Sequence, residues 1–281
     1  MTILKKNGYY YIRHSLRKDE RVITREKYLG KEVPENIEEI KSAFLMECIK
    51  EDLFRKLSAV KKNFGREWKT YPESVKKKVL IDFLIKFTYN SNAIEGSTIT
   101  LEETEDIIKR KLAPHKSIKD IQETINHSKA FFQAINEKKI SSETLLAWHN
   151  EIFYDSKPDI AGTWRTYLVR VGEYRAPNWQ EIKKLIKNLF VWYEKNVKMM
   201  HPVELAARAH YRFEKIHPFG DGNGRIGRLI IAHILKKNSY PIIVIEYSGR
   251  KQYYNALSKN EDEFVKYFMK RYLKEYKEYL K

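Results

Sequence analysis

The chain has 281 residues, 42% of them apolar, and a net charge of +17, enough for a core in one or two domains and attractive to polyanions. No run approaches the roughly 18–20 apolar residues of a transmembrane helix, and the start shows no apolar stretch followed by a small-residue cleavage site. Cys48 is the only cysteine, which excludes an internal disulfide and a cysteine-rich zinc site and suits a reducing cytoplasm away from membranes.

In chain order, residues 1–33 read as β. "GYYYIRHS" and "RVITREKYLG" are rich in Tyr, Ile, Val and Thr, with the polar "LRKDE" between them as a turn, so a β-hairpin region is expected. "KEVPEN" reads as a linker into a helical region over 34–74. Ile40, Phe44, Cys48, Leu53 and Leu57 fall at helical spacing and predict a helix over 37–62. A second helix opens near Pro72 and stops at Gly96. Thr100 with Glu103 forms a capping box for a third, and 117–136 and 141–153 give two more. Over 161–179, Gly162, Gly172 and Pro177 surround a β-branched and aromatic run, which predicts a short inserted hairpin. Helical periodicity returns at 180–196, 202–215, 226–237 and 251–278. The expected fold is mainly α: a helical domain over 75–281 with an inserted β-hairpin, preceded by the N-terminal β region.

"HPFGDGNGRIGR", residues 217–228, holds four of the chain's eleven glycines. The preceding helix places Leu205, Ala209, Phe213 and Ile216 on one face and ends where Pro218 disfavours the α conformation at His217. The following helix carries Ile226, Leu229, Ile230 and Ile234. A G-x-G-x-x-G string is present, but a helix precedes it, so no dinucleotide-binding strand–turn–helix is implied. The underlying physics still applies: glycines let backbone N–H groups converge on an anion at a helix N-terminus. Arg225 and Arg228, three apart, oppose the helix dipole unless an anion sits with them. Asp221 is either a salt-bridge partner of Arg225 or a ligand of phosphate-bound Mg²⁺. His217 is either structural or a general base for a hydroxyl nucleophile. A metal site of His210, His217 and Asp221 has no tight His pair behind it.

"HPFGDGNGR" with Arg228 resembles the signature of the Fic family, H-P-F-x-[DE]-G-N-[GK]-R with a second Arg three residues on, and the likeness extends over roughly 75–281. The resemblance implies transfer of AMP from ATP to a Ser, Thr or Tyr hydroxyl of a target protein, with release of pyrophosphate. It implies that His217 deprotonates the hydroxyl and that Asp221 holds Mg²⁺. Gly222, Asn223 and Gly224 would cradle the α- and β-phosphates, Asn223 adding a side-chain donor. Arg225 would bind phosphate oxygens, Arg228 the γ-phosphate, and Phe219 would be a buried anchor. The hairpin, with Val169, Arg170, Val171 and Gly172, would be the flap on which an extended target segment pairs. Tyr254 and Asn260 would line the adenine pocket. Self-modification and a homodimer are further expectations.

"SNAIEG", residues 91–96, resembles the family's inhibitory motif, which names Ser91, Glu95 and Gly96. An acid at a helix C-terminus is as ill-placed as an arginine at an N-terminus, and a Glu95–Arg228 pair relieves both. The expectation is a restrained adenylyltransferase. The alternatives are removal of AMP from a modified protein, transfer of another nucleotide or phosphate group, and a basic nucleic-acid adaptor acting through residues 1–35.

Overall fold

The computed structural model describes residues 1–18 and 21–281. Two positions of the expected N-terminal turn, Asp19 and Glu20, lie outside the described residues. The chain divides into two compact units, 1–59 and 60–281.

In the first unit, β1 (Thr2–Lys6), β2 (Tyr9–Lys18) and β3 (Arg21–Gly30) form an antiparallel sheet in the order β1-β2-β3. This is a three-stranded meander, one strand more than the expected hairpin. The extra strand follows from Asn7-Gly8: both residues have positive φ, 52° and 83°, as a two-residue hairpin turn of this kind requires. Ile12, Phe44 and Cys48 are buried together, with Leu29, Ile37 and Ile40 packed against them. Lys6 and Arg13 both pair with Glu26 on the same sheet, so two of its cations are already partnered.

The division between units falls inside α1 (Ile37–Thr70). This helix runs eight residues past the expected end, because Phe64 and Trp68 continue its apolar stripe and stack at 5.7 Å between centroids. The second unit then follows the predicted order: α2 (Glu73–Ile94), α3 (Leu101–Glu105, continuing as a π turn to Arg110), α4 (Ile118–Asn136) and α5 (Ser142–Phe153). Both bonds of the Thr100–Glu103 capping box are present. The inserted hairpin is β4 (Arg170–Val171) and β5 (Tyr174–Arg175), turning at Gly172 with φ +58°. Next come α6 (Ile182–Asn196), α7 (Pro202–Ile216) and α8 (Asn223–Lys237).

Helix α8 is the centre of this unit. Its apolar stripe, Ile226, Leu229, Ile230 and Ile234, is buried, as are Leu205, Ala209, Phe213 and Ile216 of α7. The two helices pack on each other, and α4 and α2 also pack against α8. The single helical stretch expected over 251–278 is two helices, α9 (Arg250–Ser258) and α10 (Glu261–Glu275). Lys259 is extended, and the Asn260 side chain accepts the Glu263 N–H at 3.0 Å, which starts α10 afresh. Among the described residues no helix is long and apolar enough to cross a membrane.

Asn260→Ala should therefore lower stability by about 1 kcal/mol, the usual worth of an N-cap, in a denaturant titration.

Candidate active site

The turn between α7 and α8 is built by three local constraints. His217 closes α7 in the left-handed region, φ 49°, with its N–H on the Phe213 carbonyl at 2.9 Å. Asn223 then braces the loop: its Oδ1 accepts the Phe219 N–H and its Nδ2 donates to the Phe219 carbonyl, both at 2.9 Å. Phe219 is fully buried and stacked on His149 at 3.9 Å. Finally, Gly222 has φ +76° and lies against Phe153 so closely that a methyl there would strike the ring. The chain can enter α8 only with glycine at this position. Gly222 provides no side-chain cap, so the first-turn amides of α8 are left for an anion or water.

The Asn223 side chain thus departs from its expected part as a donor to phosphate. Both of its polar ends are spent on Phe219, and only its backbone N–H remains for a ligand. The two arginines also differ from expectation. Helix α8 starts at Asn223, three residues before the predicted start, so Arg228 sits in its second turn. Arg225 and Arg228 are both buried but have separate partners. Arg225 pairs with Glu123 and reaches Asp221 at 3.4 Å, its guanidinium 4.4 Å from the Phe153 ring centroid. Arg228 donates through Nε to Ser91 Oγ at 2.9 Å and through Nη2 to the Ser91 carbonyl at 2.9 Å and Glu95 Oε1 at 2.8 Å. Burial opposes the charge on Arg228, but Glu95 more than compensates and holds it protonated. Glu95 is the C-cap of α2, and Gly96 turns the chain away with φ +94°. Gly224 lies directly beneath this pair: a methyl there would meet Glu95 Oε1 and Arg228 Nη1.

Asp221 pairs with Lys157 as well as Arg225. Burial would raise its pKa, but the two cations bring it down to about 2, so it is a carboxylate at any working pH. Glu123 is likewise kept ionised against its burial, chiefly by Arg225. A phosphate-bound Mg²⁺ takes one or two carboxylates and completes its shell with phosphate and water. Asp221 fits that requirement once Lys157 gives way. Among the described residues no cluster of three or more His, Cys, Asp or Glu gathers as a self-contained metal site.

His217 opens onto a cleft of about 540 Å³ whose walls include Val171, Gly172, Tyr174, Glu214 and Tyr254. The hairpin thus forms one wall, with Val171 and Gly172 at the cleft. Val169 and Arg170 lie in its ladder, where the Val169 carbonyl accepts the Ala176 N–H and Arg170 pairs with Arg175. The Tyr254 hydroxyl donates to the Ile94 carbonyl at 3.2 Å, joining the cleft to the end of α2. Asn260 is occupied as the cap of α10 and is absent from the lining of the cleft. His217 Nδ1–H donates to the Glu214 carbonyl at 3.3 Å. That bond leaves Nε2 as the free lone pair. Burial lowers the imidazole pKa below its ordinary value, against the opposing pull of the Glu214 carbonyl and Glu95. The ring is neutral at pH 7, the state a proton acceptor needs.

Four residues of the site escaped the sequence reading: Glu123, His149, Lys157 and Glu214. His149 is held in one tautomer, its Nδ1 accepting the Gly162 N–H and its Nε2 donating to the Asp221 carbonyl, both at 3.0 Å. Glu123, His149 and Lys157 lie 64 to 102 positions from their partners in the loop, and nothing in their local sequence marks them. Glu214 carried a usable signal: it lies in the last turn of α7, three residues before His217. Its carboxyl is buried, its Oε1 has no hydrogen-bond partner, and burial together with the nearby Glu95 raises its pKa to about 8.

Residues 139–235 match the Fic/DOC family. Protein adenylyltransferase Fic of Nematostella vectensis is 32% identical over 190 residues, which cover 65% of this chain and 44% of that protein. The chain therefore spans less than half the length of the curated relatives it matches. Two solved structures share the fold. Fic-1 from Caenorhabditis elegans aligns with a TM-score of 0.73 at 24% identity, covering 85% of this chain and 74% of that one. A Fic family protein from Desulfovibrio desulfuricans aligns with a TM-score of 0.68 at 25% identity, covering 80% and 73%.

The Glu214 carboxyl gives a pH signature. Unfolded, it ionises near its ordinary value; folded, it keeps its proton up to about pH 8. The folded state binds the extra proton between those two values, so this group makes stability fall as pH rises across that window. Glu214→Gln should flatten the decline, its gain in urea midpoint over the parent being larger at about pH 8 than at about pH 5.

Proposed function

On the premise that residues 139–235 form a Fic/DOC family domain, we propose that the chain is a protein adenylyltransferase held in check by Glu95. The carrying observation is the placement of a neutral His217 at the mouth of a cleft beside the uncapped start of α8. A triphosphate would lie over the backbone N–H groups of Asn223, Gly224 and Arg225, where the helix dipole favours negative charge. Arg225 is fixed by Glu123 and adds a positioned cation. Arg228 is the residue for the terminal phosphate.

Transfer then needs one proton acceptor and one leaving group. His217 Nε2 takes the proton of a Ser, Thr or Tyr hydroxyl as its oxygen bonds to the α-phosphorus. The bond from that phosphorus to the bridging oxygen breaks, and pyrophosphate departs. Positioned amides and guanidinium groups stabilise the charge that spreads over the phosphoryl oxygens. Mg²⁺ on Asp221 would neutralise part of the pyrophosphate charge. A target segment extended along the hairpin would present its hydroxyl to the same cleft. With a single cysteine, buried at position 48, the chain suits the reducing cytoplasm.

The restraint follows from charge. The Arg228 guanidinium is satisfied by Ser91 and Glu95. A γ-phosphate must compete with that carboxylate for the same donors and approach a second negative charge. Removing Glu95 should release Arg228 to the nucleotide. With ATP and Mg²⁺, Glu95→Gly should show self-modification by AMP in intact-mass spectra, at least about tenfold faster than the parent. The added change His217→Ala should abolish it. Equal rates in the parent and the glycine variant would refute the restraint, and transfer that survives without His217 would refute the base.

A further inference from the structure

Arg165 is 3% exposed, yet no carboxylate faces its guanidinium among the described residues. A buried guanidinium is ordinarily paired with an acid. Here three of its five donors go to backbone carbonyls. Nε donates to His217 at 2.8 Å, Nη1 to Tyr167 at 2.6 Å and Nη2 to Pro177 at 2.7 Å. Its own backbone N–H donates to the Pro218 carbonyl at 3.0 Å. The distribution of these contacts is telling. One carbonyl belongs to the residue that carries the imidazole. The other two flank the inserted hairpin: Tyr167 stands just before Val169, and Pro177 just after Ala176, the two residues that close its ladder through the Ala176 N–H to Val169 carbonyl bond at 3.1 Å. A planar fork with fixed donor directions can hold three carbonyls in one geometry, which a flexible ammonium cannot.

We propose that Arg165 is the positioning residue that ties the His217–Pro218 turn to both roots of the hairpin, so that a target strand laid on the hairpin meets the imidazole at a fixed offset. The role rests on the adenylyltransferase reading for its consequence, though not for its geometry. A hairpin of two-residue strands has little rigidity of its own. Another tie to the site is the Tyr174 hydroxyl, which donates to the Lys215 carbonyl at 2.7 Å. The Tyr167 ring also lies against Gly220, and of these ties Arg165 is the one that bonds the carbonyl of the residue carrying the imidazole. Its charge has a second effect on the same imidazole, disfavouring the protonated form of His217, whereas the Glu214 carbonyl, Glu95 and Asp221 favour it. Arg165 touches none of the groups assigned to phosphate, Asn223, Gly224, Arg225 or Arg228. Its loss should therefore damage delivery of the hydroxyl and spare the nucleotide.

The test uses the full chain carrying Glu95→Gly, with Arg165→Lys and Arg165→Gln added separately. ATP·Mg²⁺ affinity, read by calorimetry, should stay within about twofold of the parent, while self-modification at saturating ATP should fall by about tenfold or more, the cost of a lost near-attack geometry. Lys keeps the charge and should leave the acidic limb of the pH–rate profile in place. Gln removes it and should move that limb to higher pH, a displacement that mere loosening of the fold would not produce. Amide exchange should quicken together over 167–177 and 217–220 in both variants. Exchange that quickens in one segment alone, or ATP affinity that falls as far as transfer, would overturn the proposal. If neither variant folds, the Glu95→Gly chain itself decides: the Arg165 and Ala176 amides should open with one common free energy, and clearly separate openings would refute the tie. A Glu95→Gly chain that transfers no nucleotide would sink the activity instead, leaving the exchange result to judge Arg165.

Discussion

The site depends on a backbone conformation before it depends on any side chain. The chain leaves α7 through a left-handed histidine and enters α8 through a left-handed glycine pressed against Phe153. That path leaves the start of a buried central helix without a side-chain cap and places an imidazole six residues before it in the same turn. Asn223 makes the path rigid by bonding both polar groups of the Phe219 peptide positions, and His149 holds the Asp221 carbonyl from the other side. Without this enclosure the loop would be a mobile glycine-rich turn, and an anion would have to order it at binding. With it, the ordering is complete before a ligand arrives.

The charges around the loop form two separate groups. Lys157, Arg225, Asp221 and Glu123 make one network under the start of α8. Arg228, Ser91 and Glu95 make another at the meeting of α2 and α8. Breaking a buried pair by removing one partner leaves an uncompensated charge and is strongly unfavourable. Arg225 therefore keeps Glu123 whether or not a ligand is present. The second group differs, because Glu95 is partly exposed at a helix end while Arg228 is not. In the proposed restraint the more exposed acid is the part that would move, with a phosphate replacing it as the partner of the arginine.

Much of this was legible from the amino acids. Helix order, the capping box at Thr100, the stop at Gly96, the inserted hairpin and the two apolar stripes of α7 and α8 all follow from spacing and from glycine and proline. The loop was legible because its residue types are rare together. What escaped has physical causes. Asn7-Gly8 marked a third strand, but the tyrosine-rich run beside it masked the turn. Lys259 and Asn260 break a stretch whose apolar periodicity is otherwise continuous, so a side-chain cap outweighed the period. The Asn223 side chain faces inward because the Phe219 peptide groups need partners once buried, a demand visible only when the loop has closed. Glu123, Lys157 and His149 come from distant helices and turns, and tertiary packing alone joins them to the site.

In the proposed mechanism one pocket would bind the triphosphate at the start of α8 and present its α-phosphorus to His217. A crystal structure of the Glu95→Gly chain with Mg²⁺ and a non-hydrolysable ATP analogue tests it most directly. The expected result is phosphates over the amides of Asn223 to Arg225, Arg228 turned from Ser91 to the terminal phosphate, and His217 Nε2 facing the α-phosphorus across the cleft. A nucleotide bound elsewhere, or phosphates at α8 with the imidazole turned away from them, would contradict it.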